Sequence, residues 1–300
     1  MPNQKYSLEE AYQYCRTIAL GHYENFPVGS ILIPKNIRHH FYALYAFMRT
    51  ADDFADFPDR PKQDRLELLA DWRRQLDETV SGVCGQESEN PIFIALRNTI
   101  TECKLQAEPL YRLLEAFEFD AKGEVFFETF DDLRWYTSRS ADPVGELVLG
   151  LFGYKDAERI KLSNEICSAL QLLNFIQDIK EDLANKRYYY PQEDCRMFGA
   201  DRETVERTLV RSYDGLKSVP LSLTSLFELE RVEALLDRGA PLAESVSGRL
   251  RYELRAIVHA ARKMTEKIGK LDGNSYQTRP KLSKGEHLFV LLKSLGMKMK

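Results

Sequence analysis

Apolar residues return along this chain at three- and four-residue intervals from one end to the other. That is the spacing of amphipathic helices, and strand-like alternation between hairpin dipeptides is scarce. The pattern predicts helices over 7–21, 37–57, 63–80, 91–106, 108–119, 129–140, 143–153, 156–185, 201–218, 221–238, 241–269 and 284–297, joined by short connections. Breakers fall between them, as in Phe57-Pro58-Asp59-Arg60-Pro61 and Gly239-Ala240-Pro241, and no repeat or long linker divides the chain. The expectation is one all-α domain over residues 1–300. Phe41 to Met48 is apolar nearly all round, the mark of a helix buried in a large core rather than lying on its surface.

Composition alters this picture little. The chain has 300 residues, 44% hydrophobic and 29% charged, as ordinary globular proteins do. A net charge of −4 gives no global field to attract nucleic acid, so none is expected as a partner. If the ligand is an anion, something local must hold it. Cys15, Cys84, Cys103, Cys167 and Cys195 are odd in number and widely spaced, against a disulfide framework or a cysteine zinc site, and fit a reducing cytosol. The polar start, Met1 to Glu10, and the lack of a run of about 20 apolar residues predict a soluble or peripheral protein.

The apolar helix at 41–48 runs straight into Arg49, Asp52, Asp53 and Asp56. At about 100° per residue, Tyr45, Arg49, Asp52 and Asp56 fall within roughly 60°, so two carboxylates stack one turn apart. An isolated D-D-x-x-D is as well explained by a helix leaving the core for solvent. A second copy argues otherwise: Gln171, Asn174, Asp178 and Asp182 share about 80° of a largely apolar helix. Like charges one turn apart, partly desolvated, need cations. An oxygen-only donor set selects a hard ion, and Mg²⁺ suits carboxylates and waters around a diphosphate. Asn185-Lys186-Arg187-Tyr188-Tyr189-Tyr190-Pro191 follows at once. Its cations either reach the same diphosphate or serve the negative end of the helix dipole.

From His22 to about Leu295 the chain resembles the squalene/phytoene synthase family. Tyr45 to Asp56 matches its first aspartate-rich motif, and Gln171 to Asp182 with Lys186 to Pro191 matches its second. Within the family, His22-Tyr23-Glu24-Asn25-Phe26-Pro27-Val28, Asn174-Phe175-Ile176-Gln177-Asp178 and Ala141-Asp142-Pro143-Val144-Gly145 are similar to the bacterial hydroxysqualene synthase branch of hopanoid and squalene biosynthesis. Condensing members usually carry Arg where Gln177 stands and a Ser-rich segment after the histidine matching His22.

The resemblance implies an isoprenoid-synthase-type helical bundle around a central apolar cavity. It implies release of diphosphate from presqualene diphosphate, and water capture of the carbocation as hydroxysqualene. Two or three Mg²⁺ ions would be held by Asp52, Asp53, Asp56, Asn174, Asp178 and Asp182. Arg49, Lys186 and Arg187 would grip the diphosphate, with His22, Asn25, Gln171, Gln177 and Tyr189 completing the substrate site. Phe26, Tyr45 and Tyr136 would face the cation, although each reads equally as a core aromatic. No G-x-G-x-x-G unit or P-loop is visible, so no NADPH step is expected. Two alternatives stand: head-to-head condensation of two prenyl diphosphates, and a catalytically silent helical assembly factor.

The segment 279–300 is basic, with Arg279, Lys281, Lys284, Lys293, Lys298 and Lys300 against Glu286 alone. Leu288-Phe289-Val290-Leu291-Leu292 within it is too short to span a bilayer. It fits either a terminal helix packed on the core or a helix at an anionic membrane surface. The lipid-like substrate favours peripheral contact, with hand-over to other enzymes of the squalene and hopanoid pathway.

Overall fold

A computed structural model describes residues 6–21, 33–57, 60–82, 90–123, 125–205, 207 and 218–296. Its contacts fall into two compact units, one of Met1–Gly123 with Pro143–Ile160, the other of Glu124–Asp142 with Lys161–Lys300. The expected all-α class is observed, relieved only by one short strand pair among the described residues.

The first unit contains α1 (Leu8–Gly21), α2 (Arg38–Ala55), α3 (Lys62–Ser81), α4 (Pro91–Cys103), α5 (Glu108–Ala121) and most of α7 (Asp142–Leu151). Helix α2 is its axis: every residue from His40 to Phe47 is buried, as the all-round apolar pattern requires. Ala43, Ala46 and Ala51 are fully buried there, and such small side chains let α1, α3, α4 and α5 close around it. Phe47, Trp72 and Phe93 form the aromatic centre, with Trp72 and Phe93 ring centroids 4.6 Å apart. Helix α4 starts cleanly because Pro91 needs no N–H partner and Asn90 Oδ1 accepts from the Ile92 N–H at 3.1 Å.

The second unit holds α6 (Phe130–Ser140), residues 161–184 of α8 (Ala157–Ala184), α9 (Gln192–Phe198), α10 (Val219–Gly239), α11 (Leu242–Ser245), α12 (Gly248–Lys270) and α13 (Lys284–Ser294). Thr129 and Asp132 form a capping box that fixes the start of α6. At the end of α10, a Cβ on Gly239 would lie 2.6 Å from Ile166 Cγ1 and 2.9 Å from the Leu162 carbonyl. Only glycine lets α10 pass α8 this closely. Strands β1 (Val125–Phe126) and β2 (Arg187–Tyr188) pair in parallel, Val125 opposite Arg187.

The structure departs from the expected elements in places. The strands are two residues each, too short for alternation to register. Helix α9 falls in the stretch left unassigned between the expected helices 156–185 and 201–218, with Pro191 as the residue before its first turn. The expected helix 241–269 is interrupted: Val246 and Ser247 are extended and Gly248 takes φ +63°. Of the expected helix 201–218, residues 202–205 and 207 are helical, and 206 and 208–217 lie outside the described residues.

Candidate active site

In the first unit the predicted residues gather where α2 ends. Arg49 reaches forward to both neighbouring acids, 3.1 Å to Asp52 and 2.5 Å to Asp53. Asp56 is the C-cap, its N–H bonded to the Asp52 carbonyl at 2.9 Å. Three carboxylates therefore sit at the negative end of a helix whose last turn has no basic residue. Arg49, one turn earlier, offsets part of that charge through its pairs with Asp52 and Asp53. The Arg49 Nε is buried without a hydrogen-bond partner, a donor held in reserve beside the acids. Tyr45 is buried one turn earlier, and burial holds its phenol above the usual range, with Arg49 pulling the other way.

In the second unit α8 carries Gln171, Asn174, Gln177, Asp178 and Asp182 on one side. Asn174 Nδ2 donates to Asp178 Oδ2 at 3.1 Å. Arg279, from the irregular segment after α12, grips the same carboxylate with two nitrogens, one at 2.7 Å from Oδ2. Gln177 Nε2 donates to the Pro280 carbonyl at 3.1 Å, and Ser275 Oγ to the Ile176 carbonyl at 2.5 Å, which ties this segment along the acidic side of α8. Asp182 stands apart. Burial, then the charge of Asp178 one turn away, pushes it up to about 7 against the pull of Arg187, and its Oδ2 is buried with no hydrogen-bond partner.

Helix α8 closes through Lys186, held at φ +60°, a left-handed position uncommon for a side chain larger than glycine. This turn sends the chain into β2. Lys186 itself is exposed, whereas Arg187 is half-buried and Tyr188, Tyr189 and Tyr190 are buried. Arg187, the three tyrosines and Asp182 line a small, partly open pocket whose remaining wall includes Phe175, Ile179 and Leu221. Phe175 and Tyr189 stack with centroids 3.7 Å apart, and Tyr136 lies 6.4 and 6.0 Å from them. Phe127, 5.3 Å from Tyr136, extends the cluster.

Most predicted residues thus fall into two local clusters, one per unit. His22, Asn25 and Phe26 lie outside the described residues. Arg279 and Phe127 are additions. Arg279 stands 101 positions from Asp178 in an irregular segment, where no helical period links the two. Phe127 follows a two-residue strand with no pattern of its own.

Oxygen donors, the orphaned buried oxygen of Asp182 and like charges one turn apart fit a hard divalent cation at the cluster on α8. The squalene/phytoene synthase family model matches residues 20–286. The hydroxysqualene synthase of Zymomonas mobilis is 31% identical over 254 residues, 83% of this chain and 80% of that protein. The presqualene diphosphate synthase of Rhodopseudomonas palustris is 26% identical, over 84% of this chain and 90% of that protein. Among solved structures, the squalene synthase HpnC from Alicyclobacillus acidocaldarius is 36% identical, with a TM-score of 0.79 over 89% of this chain and 96% of that one. The chain belongs to the squalene/phytoene synthase family, and is an isoprenoid synthase of that type.

Proposed function

We propose that this enzyme converts presqualene diphosphate to hydroxysqualene, releasing diphosphate. The observation that carries the reading is the junction in the second unit, where Asp182 and Arg187 border an apolar cavity walled by Phe175 and Tyr189. A molecule with a diphosphate at one end and a long hydrocarbon body fits that division of polarity. The similarity to hydroxysqualene synthases supports the choice of product.

Asp52, Asp53 and Asp56 in one cluster, and Asn174, Asp178 and Asp182 in the other, would hold magnesium. Bound there, it supplies Lewis-acid stabilisation of the charge on the leaving group. Arg187 would give charge-assisted hydrogen bonds to phosphate oxygens. Arg279, the ion-pair partner of Asp178, is a further guanidinium at this cluster that would be available to phosphate oxygens. Cleavage of the carbon–oxygen bond leaves a carbocation among Phe175, Tyr189 and Tyr136, whose ring faces stabilise positive charge and whose bulk limits water. The cyclopropylcarbinyl cation rearranges as a carbon–carbon bond of the three-membered ring breaks, one water adds at the resulting cationic carbon to form the new carbon–oxygen bond, and its proton is released to solvent.

Among the described residues no helix is long and apolar enough to cross a membrane. Helix α13 packs through Val290 and Ser294 but leaves Leu288, Leu291 and Leu295 exposed, beside Lys284 and Lys293. We place this face against an anionic membrane surface, the source of the substrate and the destination of the product. The reaction is tested by turnover of presqualene diphosphate in ¹⁸O-water: label in the product hydroxyl is expected, and an unlabelled hydrocarbon refutes water capture.

A further inference from the structure

The first unit carries a second group of metal-ligating side chains, away from the acidic end of α2. His39 and His40, in the first turn of α2, meet Glu102 from the last turn of α4, and their donor atoms all lie within 4.8 Å of one another. A four-coordinate ion with bonds of about 2.0–2.1 Å sets neighbouring ligands about 3.3 Å apart. His40 Nε2 and Glu102 Oε2 are already at 3.3 Å. The third ligand is adjacent: the two imidazole centroids are 3.9 Å apart, and Tyr12 supports His39 edge-on at 4.6 Å.

The surroundings of His40 suit a ligand. Its Nδ1 lies 3.0 Å from both Tyr12 Oη and Thr99 Oγ1, and Asn98 Nδ2 donates to the same Tyr12 oxygen at 3.0 Å. Hydroxyls donate or accept, so this pair supports the ring with its proton on either nitrogen. Without an ion, Nε2–H points to Glu102. With the proton on Nδ1, Nε2 offers its lone pair and the hydroxyls fix the ring's orientation, the usual second layer around a metal-bound histidine. Neither ring nitrogen of His39 is hydrogen-bonded among the described residues. Burial lowers the pKa of both histidines, against the pull of Glu102, which favours the neutral rings that ligate a metal.

We propose that His39, His40 and Glu102 form a site for a borderline-soft divalent ion of the zinc class, clamping the start of α2 to the end of α4. Two imidazoles and one carboxylate select such an ion over magnesium, which prefers oxygen. Three protein ligands leave the fourth position to water. The site lies one helix length before the acids of the same α2, so it fixes the element that carries them.

The test uses the full chain, freed of metal with chelator and held in excess Mg²⁺ so that oxygen-only sites are filled. Titration with Zn²⁺ by calorimetry, and with Co²⁺ by its visible d–d spectrum, is expected to give one equivalent bound and a raised thermal midpoint. His39→Gln and Glu102→Gln, at positions that are not fully buried, each weaken binding at least about tenfold, and Asp178→Asn leaves it unchanged. No binding, equal affinity in wild type and His39→Gln, or loss of binding in Asp178→Asn overturns the proposal.

Discussion

Asp182→Asn is expected to stabilise the cation-free protein, and the gain depends on pH. In the folded chain burial and the neighbouring Asp178 raise the Asp182 pKa from 3.8 to about 7. The folded state therefore holds its proton through a window in which the unfolded chain has lost it. Stability is complete below pH 3.8 and falls as pH rises, by about 1.4 kcal/mol per unit, until the folded group ionises near 7. The full penalty is about 4 kcal/mol at alkaline pH, and about 3 kcal/mol of it develops between pH 5 and pH 8. Asparagine does not titrate, so urea denaturation of both proteins in EDTA at pH 5 and pH 8 isolates this contribution. Whatever asparagine does to packing is common to both pH values and cancels. The stability difference in favour of Asp182→Asn should widen by about 3 kcal/mol from the lower to the higher pH. Millimolar Mg²⁺ should shrink it, because the carboxylate then has the charge it lacks. A difference independent of pH would refute the argument that Asp182 is a desolvated, uncompensated acid.

Asp178→Asn should reduce turnover about a hundredfold or more with the fold intact by circular dichroism, since it removes a ligand charge and keeps shape; turnover near wild type would dismiss Asp178 as a ligand. Arg279→Gln should tighten Mg²⁺ binding to the substrate-free protein about two- to fivefold by calorimetry, as expected when a partly exposed ion pair no longer competes; unchanged affinity would remove Arg279 from that role. A third cluster is structural. Arg231 pairs with the buried Asp194 and, at 2.8 Å, with Glu228, whose pKa burial raises. Glu228→Gln should change urea stability at pH 7 by less than about 1 kcal/mol, whereas Arg231→Leu, which strands Asp194, should cost about 3–5 kcal/mol; equal effects would contradict the assignment of the proton to Glu228.

The helical class was legible because each long helix buries one stripe, or in α2 its whole circumference, and burial writes itself into the residue pattern. The two acidic faces were legible for the same reason, since i and i+4 positions share a face whatever the tertiary structure. Contacts between distant segments were not. Arg279 reads as one charge in a basic tail until the fold lays it on Asp178. Glu102 and His39 are separated by 63 positions and join only when α4 packs beside α2. The break at Val246 and Ser247 escaped the pattern because Gly248 lies inside an otherwise continuous helical period. Tyr136, ambiguous between core and site, is buried against Phe175 and Tyr189, the pair that lines the cavity.

The most direct test of the proposed reaction offers the purified protein presqualene diphosphate and, separately, farnesyl diphosphate, each with Mg²⁺ and with EDTA, and identifies the products by mass spectrometry. Hydroxysqualene from presqualene diphosphate, in Mg²⁺ but not in EDTA, with farnesyl diphosphate left unreacted, is the expected result. Presqualene diphosphate, dehydrosqualene or squalene made from farnesyl diphosphate would contradict it and place the enzyme among the condensing members of its family.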